Sequence, residues 1–346
     1  MIAKTLLRLA GLALAAAAPF AAPAPAQAQG NLVLYCTPQE EWCRAMVNAF
    51  EKKTGIKVAM TRKSSGELYA QIKAESANPK GDIWWGGTGD PHLQAAEEGL
   101  AEEYTSPMNK DLQPWAVKQW EQSKKRTVGV YAGALGFGYN NKQLADKKIA
   151  ELKCWADLLN PKLKDEVQVA DPNSSGTSYT MLATMVQLMG EDKGFDYLKK
   201  LHKNVNQYTK SGAAPAKATS MGETAVGITF LHDMVTFIVQ KAPITAVAPC
   251  EGTGYEIGSM TIIKGAKNPK EAKLWYDWAL TPEAQELGAG AQAYQVPSNK
   301  NAKTPKEAPD FKKIKFIDYD FAKYGSSAER KRLLAKWDAE VKNLPK

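Results

Sequence analysis

The sequence predicts an α/β protein of two domains with a cleft between them. Apolar runs of strand length are repeatedly followed by a small-residue turn and then by a segment with helical spacing of its apolar residues, which is typical of α/β folds. Beyond the first 28 residues, about 318 remain without a second long apolar stretch. That length exceeds the roughly 100 to 200 residues of one domain, so two domains are expected.

The N-terminal segment predicts secretion. Lys4 and Arg8 precede an apolar run over residues 9–22, and the segment ends in Ala26-Gln27-Ala28. A charged start, an apolar centre and a small-residue end are the features of a signal peptide. The run is shorter than the roughly 20 residues of a membrane span and contains prolines. We therefore expect residues 1–28 to be removed by cleavage.

Three strand–turn–helix units open the first predicted domain. Strands are predicted at 31–35, 56–60 and 82–85. The helix after the first strand is marked by the spacing of Trp42, Met46, Val47 and Phe50, and the other two are predicted at 67–75 and 91–98. Because neighbouring side chains of a strand point to opposite faces, one of Trp84 and Trp85 lies on the face nearer the cleft. We nevertheless expect both rings to pack in the core.

The second predicted domain repeats the order of strand, turn and helix. A strand at 128–131 ends the first set, and a strand at 166–170 then leads through the turn 171–177 into a helix at 178–189. In open α/β sheets, ligands bind beyond the carboxyl ends of the strands. The turns of the two domains are therefore expected to face one cleft.

These turns carry the residues of an anion site. Ser, Thr and Gly at helix N-termini offer hydroxyl and backbone donors. For a single turn, an ordinary N-cap is the simpler interpretation, but four such turns in one chain favour a phosphate or carboxylate site. Arg62 or Lys63 adds positive charge if its side chain turns inward. The candidate residues are Thr37, Ser64, Ser65, Gly87, Thr88, Ser175, Gly176 and Thr177.

The distribution of charged residues argues against a nucleic acid partner. The chain carries 45 Lys and Arg against 37 Asp and Glu, a formal net charge of +8, and loss of the signal peptide lowers it by two, to about +6. The basic residues are scattered and form no stripe with interleaved aromatics, so no nucleic acid partner is expected. A modest positive field helps to gather an anionic solute.

Three segments of this sequence resemble the ferric-binding-protein-like class of periplasmic solute-binding proteins. They are 82–87 (DIWWGG), 155–159 (WADLL) and 172–177 (PNSSGT). The resemblance implies a two-lobed type II (Venus flytrap) fold, with the chain crossing between lobes near Ala132 and again at 248–255. It assigns residues 29–131 and 256–310 to lobe 1, and residues 132–255 and 311–346 to lobe 2.

The class also implies a role. Its members are periplasmic, deliver a small ligand to an ABC permease in the inner membrane, act as monomers, carry no cofactor and catalyse nothing. Iron-binding members place two consecutive tyrosines after a strand of the second lobe, and the corresponding stretch here, 226–233 (VGITFLHD), lacks them.

His232 and Asp233 stand in their place. Together with Glu256 of the segment 254–258 (GYEIG), they look like the residues that bind the sugar hydroxyls in the hexose-phosphate-binding branch. A carboxylate accepts hydrogen bonds from neighbouring hydroxyls, and an imidazole donates or accepts. The predicted ligand is therefore a small phosphorylated sugar. A local His–Asp pair without function, a divalent metal site, and a receptor for Fe(III) or another anion such as an alkylphosphonate remain alternatives.

The four cysteines allow three pairings. Cys36 and Cys43 lie seven residues apart across a strand-to-helix turn, whereas Cys154 and Cys250 lie near the predicted crossings. In an oxidising compartment such pairs persist, and we favour these two bonds. Neither CxxC spacing nor a nearby His supports a metal site.

A secreted hydrolase of phosphate esters is disfavoured. Ser175 lies in Ser-Gly-Thr rather than in a Gly-x-Ser-x-Gly motif, and the chain has only three histidines.

Overall fold

The computed structural model describes residues 30–345, so the predicted signal peptide lies outside the described residues. Within them, ten strands form one mixed sheet. They are β1 (Asn31–Cys36), β2 (Lys57–Arg62), β3 (Ile83–Trp85), β4 (Val128–Asn140), β5 (Val167–Ala170), β6 (Val205–Thr209), β7 (Val226–Phe230), β8 (Ile244–Val247), β9 (Tyr255–Ile262) and β10 (Val296–Pro297).

Thirteen α-helices cover the faces of this sheet in the same part of the chain. They are α1 (Glu40–Thr54), α2 (Ser65–Ala74), α3 (Gly89–Glu97), α4 (Pro114–Gln122), α5 (Asn141–Asp146), α6 (Gly176–Met189), α7 (Glu191–His202), α8 (Ala214–Met221), α9 (Leu231–Val239), α10 (Pro269–Ala279), α11 (Pro282–Gly290), α12 (Phe321–Tyr324) and α13 (Ser327–Trp337). Short 3-10 helices lie at Pro107–Asp111, Trp155–Leu159, Pro161–Leu163 and Phe311–Lys313, and a π-helical turn at Asp338–Lys342. None of the helices in residues 30–345 has the length and apolarity of a membrane-spanning segment.

The long strand β4 joins the two halves of the sheet. The strand order is β2-β1-β3-β9-β4-β7-β5-β6, with β8 and β10 also paired to β4. Residues 128–134 of β4 pair with β9, whereas residues 135–140 pair with β7 and β8. One strand thus belongs to both halves, which gives the protein the two-lobed type II fold. The lobe boundaries drawn from the sequence stay a prediction.

Each half has its own apolar core. In the first half, Trp42, Phe50, Trp85 and Trp275 pack in one buried cluster. In the second half, a separate cluster forms around Trp155, Tyr179, Phe195 and Trp337. Because Trp337 comes from the C-terminal helix α13, that helix is anchored mainly in the second cluster.

Three helices next to the cleft begin two residues earlier than the sequence predicted. α2, α3 and α6 begin at Ser65, Gly89 and Gly176. Pro91 marked the predicted start of α3, but it lies inside the first turn, where its missing N–H leaves no hydrogen bond unmade. As a result, Ser65, Gly176 and Thr177 are first-turn residues, and their backbone N–H groups point out of the helix ends.

Two disulfides close the loops that the sequence analysis favoured. Cys36 is bonded to Cys43, and Cys154 to Cys250. The first bond holds the turn between β1 and α1 that carries Thr37. The second joins residues 96 positions apart and holds the segment before β9 to the start of the 3-10 helix Trp155–Leu159.

We expect the double change Cys154→Ser with Cys250→Ser to lower the free energy of unfolding by about 3 to 5 kcal/mol, because this bond restricts a long loop of the unfolded chain. Cys154 is half-buried and Cys250 is exposed, so serine causes little loss of packing. Urea unfolding of the mature protein measures the effect. A loss below about 1 kcal/mol would contradict the expectation.

Candidate functional site

One cleft lies between the two halves of the molecule at the N-termini of α2, α3, α6 and α9. It contains about 410 Å³ of empty space, part of which is open to solvent. Every ligand-binding residue predicted from the sequence lines it: Thr37, Ser64, Ser65, Gly87, Thr88, Ser175, Gly176, Thr177, His232, Asp233 and Glu256. The structure therefore brings all of them together, and their part in binding stays a prediction.

The small polar residues converge from both lobes. A Cβ added to Gly176 of α6 would lie 1.9 Å from Thr88 Oγ1 and 3.0 Å from Ser65 Oγ. The N–H of Gly66 also donates to the carbonyl of Ser174 at 3.0 Å. Only glycine at position 176 allows this approach. The small residues of these turns are called the anion group below; they are Thr37, Ser64, Ser65, Gly87, Thr88, Ser175, Gly176 and Thr177.

The sequence predicts that the backbone N–H groups of the β3–α3 turn are free for a ligand, but the structure shows that they are not. The N–H of Gly87 donates to Tyr131 Oη at 2.8 Å, and the N–H of Thr88 donates to Ser65 Oγ at 3.3 Å. Both amides are therefore already used inside the protein. What this turn offers to a ligand is the hydroxyl of Thr88, which is buried and has no hydrogen-bond partner among the described residues.

Neither Trp84 nor Trp85 lines the cleft; both are buried in the core. The indole N–H of Trp84 donates to Thr37 Oγ1 at 2.8 Å. His92 stacks on the Trp84 ring at a centroid distance of 3.5 Å and contacts the carbonyl of Gly86 at 3.1 Å. Trp84 and His92 thus support the turn from behind and do not contact the cleft.

His232, Asp233 and Glu256 form a second group. His232 Nε2 lies 3.8 Å from Asp233 Oδ1 and 3.7 Å from Glu256 Oε1. Gly133 of β4 pairs with Glu256 of β9, and a Cβ at Gly133 would meet the His232 ring at 2.5 Å. The imidazole therefore lies directly over the strand that joins the lobes. These three residues are called the carboxylate group below.

Burial controls the charges of the carboxylate group. Loss of water lowers the pKa of His232, which favours the neutral imidazole, and raises the pKa of Glu256 well above 4.5, with Asp233 nearby adding to the rise. The two oxygens of Asp233 accept hydrogen bonds from Gln39 Nε2 at 2.5 Å and Thr229 Oγ1 at 2.8 Å. Glu256, by contrast, is 3% exposed and makes no protein hydrogen bond in the described chain. Its carboxyl is available to ligand hydroxyls.

The structure selects Arg62 rather than Lys63 as the cation at the cleft. Arg62 lines it, and its Nε donates to the carbonyl of Pro38 at 3.0 Å. Lys63 Nζ bonds to Gln71 on the outside. Among the described lining residues, Arg62 is the one Lys or Arg side chain.

Sequence reasoning missed several lining residues. They are Pro38, Gln39, Tyr131, Gly212, Ala213, Phe230 and Gln295. Gly212 follows strand β6 in the same way as the other turns, so this strand-to-turn signal was present. Tyr131 and Gln295 lie at places where no local motif marks a binding residue.

This chain is similar to known proteins over most of its length. Residues 82–324 match the family model described as bacterial extracellular solute-binding protein. An uncharacterized protein of Haemophilus influenzae is 46% identical over 94% of this chain and 95% of its own length.

Two solved structures are also similar to this one. The periplasmic binding protein AfuA of Actinobacillus pleuropneumoniae, solved with exogenous fructose-6-phosphate bound, is 47% identical with a TM-score of 0.88. The periplasmic binding protein P5PA is 42% identical, also with a TM-score of 0.88. Both alignments cover 91% of this chain and 100% of the other chain.

We expect Glu256→Gln to stabilise the ligand-free protein by about 1 to 3 kcal/mol at pH 7.5, because the neutral amide removes the cost of holding an ionisable carboxyl in a buried place. Since folding raises the pKa of Glu256, its contribution to stability is full below about pH 4.3 and is lost as the pH rises. The gain should therefore vanish at pH 4. Urea unfolding at both pH values measures it.

The exposed Glu103 supplies the control variant Glu103→Gln, which should change stability little at either pH. Equal gains from Glu256→Gln at pH 4 and 7.5 would show that the carboxyl charge is not the cause.

Proposed function

This chain belongs to the bacterial extracellular solute-binding protein family, and we propose that it captures a small phosphorylated sugar, a hexose phosphate, for an ABC importer. The observation that carries the proposal is the pairing of two chemically different groups in one cleft. The anion group offers hydroxyls, helix N-termini and Arg62 to a phosphate. The carboxylate group offers acceptors to sugar hydroxyls.

The comparisons support this ligand. AfuA, solved with fructose-6-phosphate, is nearly half identical to this chain over almost all of its described length. Export by a signal peptide, a periplasmic location, a permease as partner and a monomeric state complete the proposal. The family supports the location and the permease, the N-terminal sequence supports export, and the monomeric state is our expectation for this class.

Capture without catalysis is the proposed activity. Ser175 Oγ accepts the N–H of Ser178 and so caps helix α6. His232, the histidine that lines the cleft, faces Asp233 and Glu256. This arrangement provides no activated nucleophile with a base beside it.

The alternative ligands fit less well. Fe(III) binding in this class uses a tyrosine pair, and the structure has Phe230 and Leu231 before His232. The one phenol that lines the described cleft, Tyr131, accepts a hydrogen bond from Gly87. An alkylphosphonate would use the anion group but would leave Glu256 buried without a partner, which costs free energy.

Closure of the lobes is expected to accompany binding. Gln39, the N-cap residue of α1, donates to Asp233 on the other side of the cleft. Gln292, which follows α11, accepts hydrogen bonds from Thr236 and Gln240 of α9 at 2.8 and 2.6 Å. These contacts join the two lobes at the mouth of the cleft. Opening about β4 and the segment before β9 would break them, and a ligand that bridges both groups would favour the closed state.

A thermal-shift screen of the mature protein, refolded to remove carried-over ligand, tests the ligand. Hexose phosphates at a hundred times their Kd should add about 2.7 kcal/mol of stability, whereas free hexoses and inorganic phosphate at the same concentration should add little. Asp233→Asn keeps the shape of the side chain and should abolish the response.

A shift by Fe(III) or an alkylphosphonate alone would overturn the sugar phosphate assignment but leave the receptor role intact.

Closure itself is tested by Gly176→Ala. The added methyl group would lie 1.9 Å from Thr88 Oγ1, so the lobes should fail to close and hexose phosphate affinity should fall at least about tenfold, which is about 1.4 kcal/mol. Stability without ligand should change by less than about 1 kcal/mol, because alanine suits a helix. Calorimetric titration and urea unfolding measure both quantities.

Gly290→Ala is the matched control for this variant, since nothing lies within 4 Å of its added Cβ. Unchanged affinity in Gly176→Ala would mean that the ligand does not require the closed approach of the two turns.

A further inference from the structure

Four hydroxyl groups that line the anion side of the cleft share one hydrogen-bonding arrangement. Each accepts a hydrogen bond from a protein N–H, and none of them donates its own hydrogen to a described protein group. The pairs are Thr37 Oγ1 with Trp84 Nε1 at 2.8 Å, Ser65 Oγ with Thr88 N at 3.3 Å, Tyr131 Oη with Gly87 N at 2.8 Å, and Ser175 Oγ with Ser178 N at 3.5 Å.

This arrangement orients the hydroxyls as donors. Once a hydroxyl oxygen accepts an N–H, its own hydrogen needs an acceptor, and hydrogen bonds in such a chain strengthen one another. All four residues line the cleft and are 1 to 8% exposed. Their hydrogens can therefore be satisfied by oxygen atoms of a bound ligand.

The backbone N–H groups and the cation on this side are donors as well. Gly176 and Thr177 are the first two residues of α6, whose N–H groups the helix itself does not use. Arg62 carries N–H donors only. The neighbouring carbonyls are already paired, since Ser174 O accepts from Gly66 and Pro38 O accepts from Arg62.

The carboxylate acceptors of the cleft belong to the carboxylate group and not to the anion side. Both oxygens of Asp233 accept from protein donors, and Glu256 lies beside His232. The unpaired amide oxygen of Gln295 also lines the cleft, but Gln295 donates to Gln39, which in turn donates to Asp233, so it lies with the carboxylate group. A proton on the ligand's anionic end would therefore find no carboxylate or free carbonyl among the described residues of the anion side. It would have to face a hydroxyl, whose own hydrogen would then stay buried without a partner, and that is unfavourable.

We propose that the anion side accepts only a fully deprotonated tetrahedral ester: it binds a sugar phosphate as the dianion, and it also binds the sulfate ester of the same sugar. The inference rests on the proposed function and deepens it. A sulfate ester presents three terminal oxygens and no proton. Its charge is lower by one, so it should bind more weakly than the phosphate dianion.

The first test is calorimetric titration of the mature protein with fructose 6-phosphate and fructose 6-sulfate at pH 7.5 and 5.0. A phosphate monoester loses its second proton with a pKa of about 6, so about one molecule in eleven is a dianion at pH 5.0. Phosphate affinity should therefore be about tenfold lower at pH 5.0 than at pH 7.5. The sulfate should bind at both pH values with affinities within about twofold of each other.

The sulfate also reports on the protein's own titration. The titratable and charged groups that line this cleft are Arg62, Tyr131, His232, Asp233 and Glu256. Because the sulfate keeps its charge across this range, any loss of its affinity at pH 5.0 comes from the protein. A sulfate loss as large as the phosphate loss would overturn the proposal.

A matched pair of variants tests the missing acceptor directly. Ser175→Asp keeps an N-cap for α6 but adds an acceptor to the anion side, and Ser175→Asn keeps a comparable cap without the charge. Ser175→Asp should abolish sulfate binding and remove the tenfold loss of phosphate affinity at pH 5.0. Ser175→Asn should weaken both ligands but keep that loss.

The outcomes separate this inference from the proposed function. No binding of fructose 6-phosphate by folded protein at pH 7.5 would overturn the function, and the inference with it. Phosphate binding of equal affinity at both pH values, or no detectable sulfate binding at pH 7.5, would overturn the inference alone.

Discussion

The pairing of β4 with strands of both lobes is the constraint on which the rest of the structure depends. Because residues 128–134 pair on one side and residues 135–140 on the other, the strand ends of both lobes lie along one line. The helices that follow those strands therefore present their N-termini to the same space. A cleft with donors from both lobes follows from that one shared strand.

The cleft is held in place by groups that do not contact it. Trp84 and His92 stack behind the turn that carries Gly87, and the indole orients the hydroxyl of Thr37. The Cys36–Cys43 bond closes the loop that contains Thr37. Donors that must be in position before the ligand arrives need such support, because ordering them on binding would cost affinity.

The site also contains groups that do not stabilise the folded chain. Thr88 Oγ1 and His232 Nδ1 are buried without partners among the described residues, and Glu256 is a buried carboxyl without a protein hydrogen bond. Each of these lowers the stability of the closed form when no ligand is bound. A bound solute supplies the missing partners, so that binding and stability are linked at these atoms.

The sequence by itself determined the α/β class and the alternation of strands and turns, favoured the two disulfides that the structure has, and predicted part of the cleft lining. It could do so because strand ends, N-cap residues and apolar spacing are local patterns. It placed the starts of α2, α3 and α6 two residues late, because Pro91 and the apolar spacing mark a helix more clearly than its cap does. Only the tertiary structure decided that Tyr131 lines the cleft, that Arg62 rather than Lys63 faces it, and that the N–H groups of Gly87 and Thr88 are already used. These outcomes depend on which atoms meet across residues that are distant in the chain, and no local pattern carries that information.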